Sequence, residues 1–143
     1  IHLKMSLLVK KLAQDALIPN KQTDGSAGYD LFSYNDYELR TSPSRVLIET
    51  KIAITVPKGT YGRIAPRSGL SCKHIHVGAG VIDRDYTGEI KVLLYNLNDT
   101  PYHIKKGDRI AQLILEKIET CQVEEVEELS SSDRGAGGFG STG

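Results

Sequence analysis

Cysteine is scarce in this sequence: Cys72 and Cys121 are the only two in 143 residues. Two thiols this far apart make no disulfide framework and lack the paired spacing of a zinc site. They read as small buried apolar side chains in a reducing compartment. Tryptophan is absent, and aromatics reach only 6%. An excess of one charge is lacking too. Lys+Arg and Asp+Glu are both 18, so the formal net charge is zero. A chain that wraps a nucleic-acid polymer needs a basic excess, so that class of partner is not expected. No apolar run approaches the ~18 residues of a membrane span. The opening Ile1-His2-Leu3-Lys4 also lacks the apolar stretch of a secretion signal. Met5 reads as a natural start, with residues 1–4 an added leader. A cytoplasmic setting is the default expectation; a nuclear or viral one would read the same.

What is present is an ordinary globular composition, 39% hydrophobic, in a length that suits one domain. A chain of this size buries about 70% of its unfolded surface and needs no metal or disulfide to hold it. Most of it reads as short strands. Ile48, Thr50, Ile52, Ile54 and Val56 share one face of a period-2 run that Pro57-Lys58-Gly59 ends. Ile90, Val92 and Leu94 alternate with Lys91, Leu93 and Tyr95. Ala111, Leu113 and Leu115 alternate with Gln112, Ile114 and Glu116. Turn signals recur at Asp24-Gly25, Ser42-Pro43, Lys58-Gly59, Thr87-Gly88, Asn98-Asp99 and Lys106-Gly107. That rhythm predicts a β-sandwich or barrel. Two helices compete with it. Ser68 is a candidate N-cap for a helix running to about Ile75. Val123, Val126 and Leu129, three apart among glutamates, read by period as a short acidic helix.

Three segments could carry chemistry. Residues 130–143 hold five glycines with Arg134 and Phe139 set among them. This segment cannot build a core. It is either a disordered tail or an arm whose N–H groups, guanidinium and ring close on an anionic nucleotide. Fourteen extended residues would reach about 46 Å, far enough to cross to another subunit. The arm half-matches a phosphate-binding P-loop, but Ser141 stands where the lysine belongs and no helix can follow, which excludes that class. Pro66-Arg67-Ser68-Gly69-Leu70 is either a plain capped helix or an oxyanion pocket. Gly80 to Glu89 is either a polar hairpin or a carboxylate that holds a water beside a tyrosine ring. His74 and His76 are two apart with no third ligand at metal spacing. The glutamates at 124, 125, 127 and 128 read as a solvated face.

Five blocks occur in a fixed order. They are Ala27-Gly28-Tyr29-Asp30-Leu31, Pro66-Arg67-Ser68-Gly69-Leu70, Gly80 to Glu89, Gly107-Asp108-Arg109-Ile110-Ala111-Gln112-Leu113, and Arg134 to Gly143. Each is a weak signal alone. Together, over nearly the whole chain, they make the sequence resemble the trimeric dUTPase (deoxyuridine triphosphate nucleotidohydrolase) family. The stretch Cys72 to Gly78 is about one residue shorter than in many relatives.

The resemblance implies an all-β distorted jelly-roll or barrel with one short helix. It also implies a homotrimer that exchanges its C-terminal arms. Residues 6–129 would form the catalytic domain, and 130–143 a flexible arm closing a neighbouring site. Val123 to Leu129 would be a strand packed on a neighbour, and this reading is preferred to the helix. The implied reaction is dUTP plus water giving dUMP and pyrophosphate. It would keep uracil out of DNA and supply dUMP for thymidylate synthesis. Asp83, Asp30, Gln112 and Arg67 would form the catalytic group, with Asp83 holding the water that attacks the α-phosphorus. Arg67, Ser68, Gly69 and Gln112 would grip the α- and β-phosphates. Arg134, Ser141 and Thr142 would clamp the γ-phosphate. Gly80, Ile82, Asp83 and Tyr86 would frame uracil and sugar, with Gly138, Phe139 and Gly140 as the closing cover. Mg²⁺ would ride on the phosphates and waters without a direct protein ligand, Asp30 lying in its outer shell. Two rivals are a deaminase of the same fold acting on dCTP and a non-catalytic nucleotide sensor. The complete set of catalytic blocks argues against both.

Overall fold

The structure, a computed structural model, describes residues 5–41 and 44–140. Among the described residues every regular element but one is a strand: β1 (Leu8–Lys11), β2 (Tyr29–Phe32), β3 (Tyr37–Leu39), β4 (Arg45–Thr55), β5 (Thr60–Ala65), β6 (Ile75–Gly78), β7 (Val81–Ile82), β8 (Glu89–Asn96), β9 (Tyr102–Ile104) and β10 (Arg109–Lys117). The exception is α1 (Ser68–Ser71). Two four-stranded antiparallel sheets, ordered β1-β4-β8-β6 and β2-β10-β5-β7, share one core with the β3-β9 ribbon. This is the jelly-roll the resemblance implied.

Alternation positions the sheets. In β4 the residues Ile48, Thr50, Ile52 and Ile54 are buried while Glu49 and Lys51 reach the surface. In β8 the residues Ile90, Val92 and Leu94 are fully buried, each contributing about 1.5–3 kcal/mol through burial. Asn96 ends β8 in the interior and is satisfied there. Its Nδ2 donates to the carbonyls of Leu39 and Thr100 at 2.9 and 3.0 Å. The core thus joins the main sheets to the ribbon without an orphaned amide.

Two strands break the alternation. In β10 the register against β2 shifts between Arg109 and Ala111. Strict alternation would put Arg109 on the face of Ala111 and Leu113, inside the core. The bulge leaves Ile110 and Ala111 both buried and turns Arg109 to the face of Gln112. In β4 the register against β8 shifts between Glu49 and Ala53. There Lys51 sits at φ 56°, a left-handed conformation that costs a lysine roughly 1–2 kcal/mol.

Three expectations are corrected. The helix is shorter than its pattern. Arg67, in extended conformation, is its N-cap, and Ser68 is the first helical residue with no side-chain cap bond. The chain leaves the helix because His74 turns left-handed (φ 60°) and Ile75, fully buried, begins β6 against Asn96. Cys72 and Cys121 are exposed, not buried. One closes α1 at the surface and the other follows the end of β10. Val123 to Leu129 does not form the helix of its period; in the single chain it is irregular and exposed throughout, as a segment that pairs only with a neighbouring copy would be. Glutamates three and four apart repel on a helix, and a strand here has no neighbour within one chain to pair with. The turn at Ser42-Pro43 lies outside the described residues.

Candidate active site

The chain builds two clusters of candidate residues along β5, one beyond its Ala65 end and the other a hairpin that starts beside Ile64 and carries Asp83 back towards Thr60. The first centres on Asp30 in β2, whose residue is 6% exposed. Its partner across the ladder is Gln112, which also pairs with Ala65 on β5. Four side chains converge there. Gln22 Nε2 donates to Asp30 Oδ2 at 2.5 Å. Arg67 Nε lies 3.9 Å from Oδ1 and Arg109 Nε 3.7 Å from Oδ2. Gln112 Nε2 donates to the Pro66 carbonyl at 2.9 Å, and Arg67 Nη1 to the Arg109 carbonyl at 3.1 Å. Gly28 must lack a side chain because a Cβ would enter the space of Gln112.

The two guanidiniums need the carboxylate between them, since two cations this close repel. Both ion pairs are long, and both arginines stay partly exposed, so they can still receive an anion. Ser68 and Gly69 are exposed beside them, at a helix start where N–H groups have no acceptor within the helix. Arg67, Gly69, Lys73 and Arg109 line an open cleft of about 480 Å³. The arrangement suits a polyanion.

A second polar network joins Asp15, Tyr34 and Lys106 at the surface. Tyr34 Oη donates to Asp15 Oδ1 at 2.5 Å and Lys106 Nζ to Asp15 Oδ2 at 2.7 Å. The Lys106 ammonium also lies 4.3 Å from the centre of the Tyr34 ring. The Lys106 bond, then the Tyr34 bond, holds the Asp15 carboxyl at about 2, below its ordinary value. The same contact pushes the Lys106 amine up.

The second cluster is the hairpin from Gly80 to Glu89. Gly80 has φ 104°, and a Cβ there would sit 2.8 Å from the Ile64 carbonyl oxygen. Only glycine lets this backbone approach β5, where Ile64 donates its N–H to the Gly80 carbonyl at 2.7 Å. Ile82 is buried, while Asp83 and Tyr86 are exposed across a turn closed by Tyr86 N–H to the Asp83 carbonyl, 3.1 Å. The Tyr86 ring lies against Gly88, and its hydroxyl donates to the Glu89 carbonyl at 2.7 Å. Leu47, Ile82, Asp83, Tyr86 and Lys91 border a pocket of about 290 Å³.

These clusters do not meet in one chain. Ile82 pairs with Gly62, and Arg67 follows the far end of the same strand. The path from Gly62 to Arg67 is five residues, the last two beyond the strand, and spans up to about 18 Å. The arm forms a third group. Every residue from Lys117 to Ala136 is exposed. Arg134 Nε donates to the Gly137 carbonyl at 2.5 Å and the Gly137 N–H returns to the Arg134 carbonyl at 3.1 Å. Phe139 is fully exposed, and Gly138 and Gly140 flank it. Ser141 and Thr142 lie outside the described residues.

Two residues escaped the sequence reading of the site. Arg109 lay inside a quoted block, but its alternation pointed to the core. Two consecutive apolar residues, Ile110 and Ala111, were the signal that a bulge reverses it. Gln22 stands in a polar turn and carries no local mark.

Comparison with known proteins identifies the family. A family model described as dUTPase matches residues 14–143. The deoxyuridine 5'-triphosphate nucleotidohydrolase of Paramecium bursaria Chlorella virus 1 is 57% identical, over 96% of this chain and 98% of its own. The mouse protein of that name is 51% identical, over 96% of this chain and 85% of its own. Among solved structures, the dUTPase of Staphylococcus bacteriophage 80alpha with dUpNHpp superposes with a TM-score of 0.89 at 33% identity. That match covers 96% of this chain and 98% of the phage chain. A dUTPase of phage phi11 of S. aureus, in which coordination of a structural Mg(II) ion is described, gives 0.80 at 29% identity, covering 88% and 99%. With its own Asp30 cluster and hairpin in place, the chain belongs to the dUTPase family.

Proposed function

We propose that this chain is a dUTP diphosphatase whose complete site is shared between three copies, one giving the hairpin, one the Asp30 cluster and one the arm. The separation of the two clusters along β5 carries this reading. Asp83 cannot direct a water at a phosphate held by Arg67 of its own chain, so the two must face each other across an interface. The relatives' names and the dUTP analogue in the phage structure support the substrate.

Catalysis then follows from charge and position. Water bound to Asp83 attacks the α-phosphorus in line as Asp83 takes its proton. The bond from the α-phosphorus to the bridging oxygen breaks, and pyrophosphate leaves with the electron pair. General-base help of this kind contributes about 10²–10⁴ in rate. Arg67, Ser68, Gly69 and Gln112 hold the α- and β-phosphates while negative charge grows on their oxygens. Arg109, held beside Arg67 by the bulge, adds a second guanidinium. Arg134, Ser141 and Thr142 of the arm clamp the γ-phosphate.

The donor set fits Mg²⁺ in one way. Asp30 is the buried carboxylate of the cluster, and its oxygens already receive Gln22 and two guanidiniums. It suits an outer-shell contact to an ion carried by phosphates and waters, the usual habit of a small hard cation. When bound, Mg²⁺ would neutralise phosphate charge.

Selection belongs to the hairpin. Backbone groups of Gly80 and Ile82 match the polar edge of uracil, and a cytosine amino group there would meet a donor. Tyr86 packs on the deoxyribose and excludes a 2′-hydroxyl, while Phe139 covers the base. The product dUMP suits thymidylate synthesis, and removal of dUTP keeps uracil out of DNA. The test is pyrophosphate release from dUTP, dCTP, dTTP and UTP with Mg²⁺, run on the native protein and on Asp83→Asn. Release from dUTP alone is expected, with Asp83→Asn binding the nucleotide but losing most turnover. Equal release from dCTP, or near-normal turnover by Asp83→Asn, would reject the assignment.

A further inference from the structure

The β-bulge of β4 reaches directly to the root of the hairpin. At the bulge the Lys51 N–H donates to Glu89 Oε2 at 3.1 Å, and Lys51 Nζ lies 3.7 Å from Glu89 Oε1. The Glu89 side chain is 14% exposed, so these contacts are sheltered from solvent. One residue earlier, Thr50 Oγ1, buried, donates to the Ile90 carbonyl at 2.5 Å. Two successive residues of β4 therefore fix two successive residues of β8. A second carboxylate, Glu49, sits 3.2 Å from Lys51 Nζ, so the one ammonium serves two carboxylates.

The Glu89 backbone carbonyl is also the acceptor for the Tyr86 hydroxyl. Gly88 between them has no room for a side chain, because a Cβ would lie 2.7 Å from that hydroxyl. The ring is thus tethered at its tip to the one residue that the bulge holds by side chain and that Gly88 leaves open to it.

We propose that Glu89 is a positioning residue for sugar selection: clamped by Lys51 and supported by Thr50, it sets where the Tyr86 ring stands. The inference rests on the reading that Tyr86 faces the sugar, and it assigns that discrimination to a bonded unit instead of the ring alone. The left-handed Lys51 is then a functional device, since its backbone N–H is aimed at Glu89 only because of the bulge.

The test compares kcat/KM for dUTP and UTP in Glu89→Ala, Glu89→Gln, Thr50→Val and Tyr86→Ala, with thermal melting of each. Glu89→Ala is expected to lower the dUTP:UTP ratio about tenfold. Glu89→Gln keeps an acceptor for the Lys51 N–H and should restore most of that ratio. Thr50→Val should give a smaller drop of the same kind. A general loss of folding would lower both activities and leave the ratio alone. If Glu89→Ala does not fold, Thr50→Val carries the test. A native ratio in the folded Glu89 or Thr50 variants, with a reduced one in Tyr86→Ala, overturns the positioning role alone. A native ratio in Tyr86→Ala overturns it together with the sugar-facing reading.

Discussion

The Asp30 cluster and the arm hold similar chemistry in opposite states. Around Asp30 a buried carboxylate, two guanidiniums and two amides already bond one another and the backbone. In the arm, Arg134 bonds the carbonyl three residues on, and Phe139 presents its whole ring to water. The first is assembled by the core that packs beneath it. The second has no such core beneath it. The barrel therefore preassembles the Asp30 cluster, and in the proposed function the arm adds its contribution only when a nucleotide and other copies are present.

The comparison can be broken most sharply by removing the arm. A chain ending at Asp133 should keep the melting temperature of the full protein, since residues 117–136 are exposed. Its kcat/KM should fall about 10³-fold or more, the scale of an arginine supplied to a transferring phosphate. An active truncation would show that the arm contributes little. Disturbing the cluster should act the other way. Asp30→Asn leaves Arg67 and Arg109 side by side without their anion. It should cost about 1–3 kcal/mol in denaturant unfolding as well as activity. Unchanged unfolding would mean that the cluster is not preassembled.

The smallest effect concerns the surface network around Asp15. The Asp15 carboxyl lies at about 2 when folded, against an ordinary value of 3.8. Its stabilising contribution is therefore present above about 3.8 and is lost as the pH falls through 2. Lys106→Met removes the main cause. The Asp15 carboxyl, followed by NMR titration, should then rise towards its ordinary value, and acid unfolding should begin at a slightly higher pH. Solvent exposure keeps the change in stability small. An Asp15 titration that stays at about 2 would assign the shift to Tyr34 instead.

How far the fold could be read from residues depended on whether period and burial agreed. They agreed in β4 and β8, where Ile48 and Ile90 begin alternating runs that end fully buried. They failed where the chain serves something not local. Ser68 resembled a cap, but the demand for Ile75 in β6 cut the helix short. Cys72 looked like core, but α1 places it at the surface. Val123, Val126 and Leu129 keep apolar side chains that no surface of this chain covers, so no reading of one chain could settle their form. Residues of the site were legible where types cluster in a block, as at Arg67-Ser68-Gly69 and Asp83 to Tyr86. Gln22 was not, because its role comes only from the Asn20–Asp30 bridge that folds its turn over β2.

The bulge at Arg109 also sets what this stretch can survive. Removing Ile110 would restore simple alternation and leave Arg109 on the face of Gln112, at the cost of a buried side chain, whereas straightening the strand at its present length would drive the guanidinium into hydrocarbon, where nothing could solvate it. Exchanging Ile110 for another apolar side chain would disturb only packing. Loss of the bulge at unchanged length, more than a change of spelling, is what this strand forbids.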